Sequence, residues 1–140
     1  MTISDSRRLD MVLPYLYPDL KSGITDGDYH LQNDGDDTGT FVVWHNKEIS
    51  EPTEQELADA KEPSMDATWW RILRLKRDRL LVESDWSQGA DVPSDLKTSY
   101  ATYRTDLRDL PENVTKPDFA TLNNQSVGEW DIDGLMPTKP

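Results

Sequence analysis

The chain has 140 residues, of which 35% are apolar and 30% are charged, so we expect one domain with a modest core and a small appendage. Its formal net charge of −12 disfavours binding to nucleic acid or to an anionic membrane surface. The absence of cysteine excludes disulfides and thiolate metal sites.

Residues 1–25 are predicted to form an extended N-terminal arm. The apolar stretch Met11–Pro18 contains Pro14 and Pro18, and two prolines favour an extended or turn-rich segment over a helix. This apolar run is too short and broken for a signal peptide, and no run in the chain reaches the roughly 20 residues that span a bilayer. We therefore expect a soluble chain whose arm packs either on its own domain or on another subunit.

Residues 26–63 are predicted to form a β-hairpin followed by a short helix. Asp28–Gln32 and Thr40–His45 are the candidate strands, and Asn33–Gly39 between them is dense in turn-forming residues. Because an isolated two-stranded hairpin is only marginally stable, we expect it to pack on the helices that follow.

A capping box marks the start of the short helix. Thr53 and Glu56 have the spacing at which each side chain binds the other residue's backbone N–H. The helix is predicted over residues 54–61 with Leu57 buried, and Pro63 is expected to end it.

The acidic hairpin turn partly resembles a calcium-binding loop. Asp34, Asp36, Thr38 and Gly39 fit the first half of such a loop, but His45 occupies the place where a bidentate glutamate is required. A solvated hairpin turn explains the acidic residues better.

No arrangement of residues in the sequence predicts catalysis. His30 and His45 are expected to lie near each other across the strands, but a histidine pair on a hairpin is ordinary, and we predict no metal site and no cofactor. The chain has no glycine-rich phosphate loop, no Gly-x-Ser-x-Gly elbow and no His-Glu-x-x-His motif. We therefore do not expect an enzyme.

The helical hairpin of residues 64–111 is the stretch around which the chain is organised. Helix one is predicted over Ala67–Ser84, and its apolar residues fall on three stripes, so it should contact neighbours on several sides. Asp85–Pro93 is a polar turn. Helix two, over Asp95–Leu110, has one narrow apolar stripe, and its remaining polar face is expected to be exposed to solvent.

Two helices joined by a short turn are expected to pack antiparallel. Trp86 should fold into the open end of this hairpin. Arg104 and Arg108 should meet Asp78 or Asp85 across the seam, where such surface pairs contribute only about 0–1 kcal/mol each. The predicted hairpin-shaping residues are Trp69, Leu73, Leu80, Asp85, Trp86, Leu96, Tyr100, Tyr103, Arg104, Leu107 and Arg108.

Residues 112–140 are predicted to form an extended C-terminal tail that docks in cis or on a partner. The predicted fold class is therefore α+β, with a small N-terminal β-hairpin packed on an antiparallel two-helix hairpin and with extended N- and C-terminal segments.

One stretch of the sequence carries a recognisable motif. Arg74–Gln88 reads RLKRDRLLVESDWSQ and is followed by Asp91-x-Pro93 and by YRTDLRDLP at Tyr103–Pro111. This pattern resembles the bacteriophage tail assembly chaperone-like family. The upstream segments Phe41–Trp44 and Pro52–Leu57 resemble small phage tail proteins more weakly. The end of the chain lacks the Trp-Pro tail common in the family.

The resemblance implies a non-enzymatic phage tail morphogenesis protein that binds a tail or tail-fibre component through its helical hairpin, in the cytoplasm of the infected host. The alternative is a permanent structural subunit of the virion tail, fibre or baseplate. Self-association stays open, and neither nucleic acid nor membrane is expected as a partner. The predicted partner-binding residues are Trp70, Leu75, Leu81, Val82, Trp130 and Ile132.

Overall fold

A computed structural model describes residues 7–36 and 39–140. A two-stranded antiparallel sheet and several helices confirm the predicted α+β class. The helices are α1 (Leu9–Leu16), α2 (Glu54–Glu83), α3 (Ser94–Asn113) and α4 (Phe119–Asn123), the strands are β1 (Tyr29–Asn33) and β2 (Thr40–Trp44), and short 3-10 turns lie at Asp85–Gln88, Val127–Glu129 and Asp133–Leu135.

The chain divides into two compact units. Unit 1 comprises the described residues up to Thr68 together with Asp118–Gly128. Unit 2 comprises Trp69–Pro117 together with Glu129–Pro140. The boundary between Thr68 of unit 1 and Trp69 of unit 2 falls inside helix α2, which is continuous across it.

Helix α1 stands where the sequence analysis predicts an extended arm, so that prediction is wrong for this stretch. Pro14 lies inside the helix and lacks the N–H that would bind the Asp10 carbonyl. Leu9, Val12 and Leu13 are fully buried. Burying three aliphatic side chains contributes about 1.5–3 kcal/mol each, which exceeds the cost of about 3 kcal/mol for an interior proline. The first six residues of the predicted arm lie outside the described residues.

The predicted β-hairpin is confirmed, with Tyr29 paired to Trp44 and Leu31 paired to Val42. Because side chains alternate along a strand, these four share one face. They pack with α1 and with the first turns of α2 in one core, which also contains Leu9, Val12, Leu13, Leu57 and Ala60. Unit 1 therefore supplies the apolar support that a lone hairpin lacks.

Helix α2 begins at the predicted capping box. The Glu56 backbone N–H donates to the Thr53 hydroxyl at 3.1 Å, and the Thr53 N–H donates to the Glu56 carboxylate at 3.0 Å. The helix does not end at Pro63 as predicted, so the expected break between two helices is absent. Ser64 and Met65, directly after the proline, are buried, and this packing holds the chain helical across it.

The C-terminal segment was predicted to be extended, but it contains α4 and two 3-10 turns. It packs on its own chain, which is one of the two dockings that the sequence left open. Helix α4 lies in unit 1 with Leu122 buried. The buried Arg8 guanidinium donates to the Leu122 and Asn123 carbonyls, each at 3.2 Å, and to the Gln125 carbonyl. Arg8 thus provides an additional donor to carbonyls in the last turn of α4 and just after it.

The core of unit 2 contains the apolar stripe of α3. Tyr100, Tyr103 and Leu107 are buried together, and Leu80, Leu81 and Met136 pack against them. In the part of the chain that the structure describes, no helix has the length and apolar character needed to cross a membrane.

Candidate partner-binding surface

The α3 stripe and the C-terminal end of α2 position the surface of unit 2. Tyr100, Tyr103 and Leu107 recur along α3 at helical spacing and face Leu80 and Leu81 of α2. Leu73 and Trp69, which lie farther back on α2, are also buried. The predicted inner side of α2 is therefore buried. The opposite side of the same helix faces solvent.

Arg104 ties α3 to the end of α2. Its guanidinium donates to the Leu81 carbonyl at 2.6 Å and to the Ser84 hydroxyl at 2.8 Å, and it pairs with the Asp85 carboxylate at 2.8 Å. A cation at a helix C-terminus is favourable because the last carbonyls carry partial negative charge. The predicted contact between Arg104 and Asp85 is thus present, whereas Arg108 is exposed.

Burial also affects the tyrosine that lies one residue before Arg104. Desolvation, the Glu83 carboxylate and Tyr100 raise the pKa of Tyr103 above its usual range. Tyr103 is therefore an uncharged packing residue near neutral pH.

Two predicted hairpin-shaping residues are more exposed than expected. Trp86 lies in the 3-10 turn with 53% of its surface exposed, and its ring meets Tyr100 in an edge-type contact with the ring centroids 5.0 Å apart. Leu96, near the start of α3, is 38% exposed. The turn tightens into a 3-10 segment, so the tryptophan lies beside the hairpin end rather than inside it.

The side of α2 opposite the core presents an exposed stripe, which we call the outer face and define as Arg71, Leu75, Asp78 and Val82. Their spacing of four, three and four places them on one side of a helix. Leu75 is 55% exposed and Val82 is 70% exposed, although both are aliphatic. Exposed aliphatic side chains are informative when they form a contiguous surface on one element.

Trp70 flanks the outer face. Its ring meets Trp69 edge to face at 4.9 Å, and the Arg74 guanidinium lies 5.6 Å from its centroid. Arg71 and Arg74 make no ion pair with any other described residue. The Trp70 ring is partly buried. Its exposed part adds apolar area beside the outer face, and the Arg74 guanidinium over the ring adds a positive charge.

Positive charge is concentrated beside the outer face. The stretch Arg71–Arg79 holds five of the 15 basic residues of a chain whose net charge is −12. Arg77 pairs with Asp78 and Arg79 pairs with Glu83, so part of this charge is neutralised on the helix itself. The remaining excess makes this the part of α2 that attracts acidic groups.

Three predicted partner-binding residues do not lie on this surface. Leu81 packs against the buried α3 stripe. Trp130 is 6% exposed and Ile132 is 1% exposed, because the C-terminal segment folds into unit 2. The next residue, Asp133, pairs with Lys76 of α2 at 2.8 Å and helps hold this segment in place.

The histidines on the hairpin come together as expected. The His30 Nδ1 and His45 Nε2 atoms are 2.7 Å apart, and the two rings stack with centroids 4.9 Å apart. Within the described ranges no group of three or more potential metal-ligating side chains of the His, Cys, Asp and Glu types converges. Asp34 of the acidic turn accepts from the Gln32 amide, as in an ordinary hairpin turn, and Thr38 lies outside the described residues.

Two structural residues were missed by the sequence analysis. Asp28 accepts hydrogen bonds from the Lys21 backbone N–H and from the Asn46 amide, each at 2.8 Å. Arg8 holds α4 as described above. Neither has a local sequence signal, because the partners lie at least seven residues away, beyond the spacing of any local motif.

Comparisons with known protein families find two matches, each over part of the chain. Residues 70–127 match the family model of the phage tail assembly chaperone protein, and residues 10–68 match the family model of the XkdW protein. No curated protein and no solved structure matches the chain. The two family matches confirm the resemblance to a phage tail assembly chaperone-like family and support a role in phage tail assembly.

Proposed function

We propose that this chain, on the strength of its phage tail assembly chaperone-like character, binds a tail or tail-fibre component without catalysis and holds it until assembly. The contact surface is the outer face of α2 with Trp70 at its flank. The carrying observation is that Leu75 and Val82 are exposed on the helix that contains the family motif. The proposal places assembly in the infected host cell.

The charge around the outer face indicates what kind of segment it binds. Arg71 and Arg74 lack carboxylate partners among the described residues, and both precede the exposed Leu75 within about one helical turn. An amphipathic segment with apolar anchors and acidic flanks would bury the aliphatic groups and neutralise the arginines. We therefore expect the bound segment of the tail component to be acidic.

The first test measures binding with the outer face made acidic. The chain is co-expressed with each tail and tail-fibre protein of its phage, and the affinity of any complex is measured by isothermal titration calorimetry. The double variant Leu75→Glu/Val82→Glu should bind about tenfold or more weakly, because it removes both apolar anchors and repels an acidic partner.

A matched control separates the surface from a general charge effect. Ile24 is 76% exposed and lies in unit 1, so Ile24→Glu replaces one exposed aliphatic side chain by a carboxylate away from the outer face. This control should bind as the wild type does, and circular dichroism should show both variants folded. Unchanged binding by the folded double variant would remove the outer face from the proposal.

A further inference from the structure

The two histidines of the chain meet on the face of the hairpin that lies opposite the unit 1 core. His30 pairs with Val43 along the ladder and His45 directly follows Trp44, so side-chain alternation places both rings on this face. The His30 Nδ1 and His45 Nε2 atoms are 2.7 Å apart, and the rings stack with their centroids 4.9 Å apart. At this distance one nitrogen must carry a proton and the other must accept it.

Neighbouring side chains decide the direction of this hydrogen bond. The amide nitrogen of Gln32 donates to the Asp34 carboxylate at 2.7 Å. Since an ionised carboxylate only accepts, the amide oxygen of Gln32 is the atom that faces His30 Nε2, 3.3 Å away. His30 Nε2 therefore carries a proton, and the lone pair of the neutral ring lies at Nδ1. It follows that His45 donates to His30 through its Nε2–H.

This direction makes the two rings respond differently to acid. A proton added to His45 goes to Nδ1, which leaves the Nε2–H donor in place and makes the hydrogen bond charge-assisted. A proton added to His30 goes to Nδ1, where it removes the acceptor. Once both rings are protonated, two N–H groups and two positive charges face each other across the stack. The first proton thus strengthens the contact, and the second breaks it.

The charged groups around the pair also favour the first proton on His45. Asp28 is opposite His45 in the ladder, since its carbonyl accepts the His45 N–H at 2.8 Å, and its carboxylate is on that side of the pair. Asp34 reaches His30 only through the neutral amide of Gln32. Helices α1 and α2 pack on the other face of the hairpin. Within the described ranges no ion pair or hydrogen bond joins either ring to the other charged residues near this end of the hairpin, which are Lys21, Asp26, Lys47, Glu48 and Glu51.

We propose that His30 and His45 form a pH-sensitive switch that joins β1 to the residue after β2. The switch is closed with no added proton or with one on His45, and it opens when His30 also becomes protonated. Opening removes the ring contact but leaves the backbone bond from His45 to Asp28 in place. The hairpin should therefore be firm at neutral pH and loosen in mild acid, while the carboxylates around it keep their charge.

The test follows the ring nitrogens by NMR on the full chain between about pH 8 and pH 5, the range in which imidazole ordinarily gains its proton. At pH 8 the spectrum should show a proton on His45 Nε2, none on His30 Nδ1, and a scalar coupling between these two nitrogens across the hydrogen bond. On acidification the signal of His45 Nδ1 should change first. The coupling should disappear only when His30 Nδ1 takes up its proton.

Two matched variants separate the switch from two independent rings. His45→Gln replaces the ring that carries the first charge by a neutral amide, so His30 should take up its proton about one pH unit higher than in the wild type. His30→Gln keeps an acceptor for the His45 Nε2–H, so His45 should take up its proton within about 0.3 pH unit of the wild type. Circular dichroism checks that both variants are folded. A proton on His30 Nδ1 at pH 8, protonation of His30 before His45, or equal shifts in the two variants would overturn the proposal.

Discussion

Single charged residues fix the junctions between segments that the apolar pattern leaves open. Arg104 caps the C-terminal end of α2 from α3, and Arg8 caps α4 from the start of α1. Asp28 joins the loop before β1 to the loop after β2 through Lys21 and Asn46. Each of these residues adds hydrogen bonds between segments that are not adjacent in the sequence.

The junction at Asp28 should make stability depend on pH. Hydrogen bonds from the Lys21 backbone and the Asn46 side chain lower the pKa of Asp28 below its usual value of 3.8. A lowered carboxyl pKa contributes stability that is fully present above the unfolded pKa and is lost as pH falls through the folded pKa. The contribution should therefore hold at neutral pH, decline below about pH 3.8 and vanish below the lowered pKa.

The variant Asp28→Asn should be less stable than the wild type at neutral pH, because a neutral amide accepts these hydrogen bonds less strongly. The difference in free energy of unfolding, measured with urea, should shrink as pH falls through the window given above. The exposed carboxylate Asp19 offers a control, since Asp19→Asn should show a smaller pH-dependent difference. A difference at Asp28 that is independent of pH would contradict the assignment.

At the scale of elements, two prolines lie inside helices although the sequence predicts that each would prevent or end a helix. In α1 the buried Leu9, Val12 and Leu13 offset Pro14. In α2 the exposed Pro63 lies mid-helix, and the Ser64 hydroxyl donates to the Lys61 carbonyl at 2.8 Å beside it. Packing of the neighbouring residues therefore keeps both stretches helical despite the lost backbone bonds.

Replacing the proline in α2 should stabilise the chain. Pro63→Ala restores an N–H that can bind the Asp59 carbonyl, and the gain is expected to be about 1–3 kcal/mol after the more flexible unfolded state is allowed for. Urea unfolding measures this change in free energy. Glu62→Ala, at the neighbouring exposed position, restores no backbone bond and should change the free energy by less than about 0.5 kcal/mol. A destabilised Pro63→Ala chain would mean that the packing of Ser64 and Met65 requires the proline.

At the scale of the whole molecule, the two family matches and the two compact units divide at the same point. The XkdW match ends at residue 68, and the first segment of unit 1 ends at Thr68. The chaperone match extends to residue 127, however, so its last residues include α4 of unit 1. The chaperone-like sequence thus contributes to both units. Its part in unit 1 includes α4, to which Arg8 donates hydrogen bonds.

The proposed role makes a prediction for the finished virus. A transient assembly factor should be abundant in infected cells and absent from purified mature virions, as measured by quantitative mass spectrometry. Burial of Trp130 and Ile132 supports this outcome, since the C-terminal segment already has its apolar groups covered by its own chain. A fixed copy number in virions would instead identify a permanent structural subunit.

The sequence by itself determined the features that depend on near neighbours. The capping box at Thr53 and Glu56 needs only a spacing of three residues, and it is present as predicted. The two strands and the α3 stripe of Tyr103 and Leu107 follow from local propensity and periodicity. The chaperone-like motif also lies within one stretch, so the family resemblance was available from residues alone.

Only the tertiary structure decided which apolar groups are buried and which are free. Leu75 and Leu81 are the same residue type on the same helix, yet one is exposed and the other packs on α3. Trp130 and Ile132 likewise look available in the sequence but are buried in unit 2. The physical reason is that burial depends on contacts between distant segments, whose summed free energy exceeds local preferences such as the helix-breaking effect of Pro63.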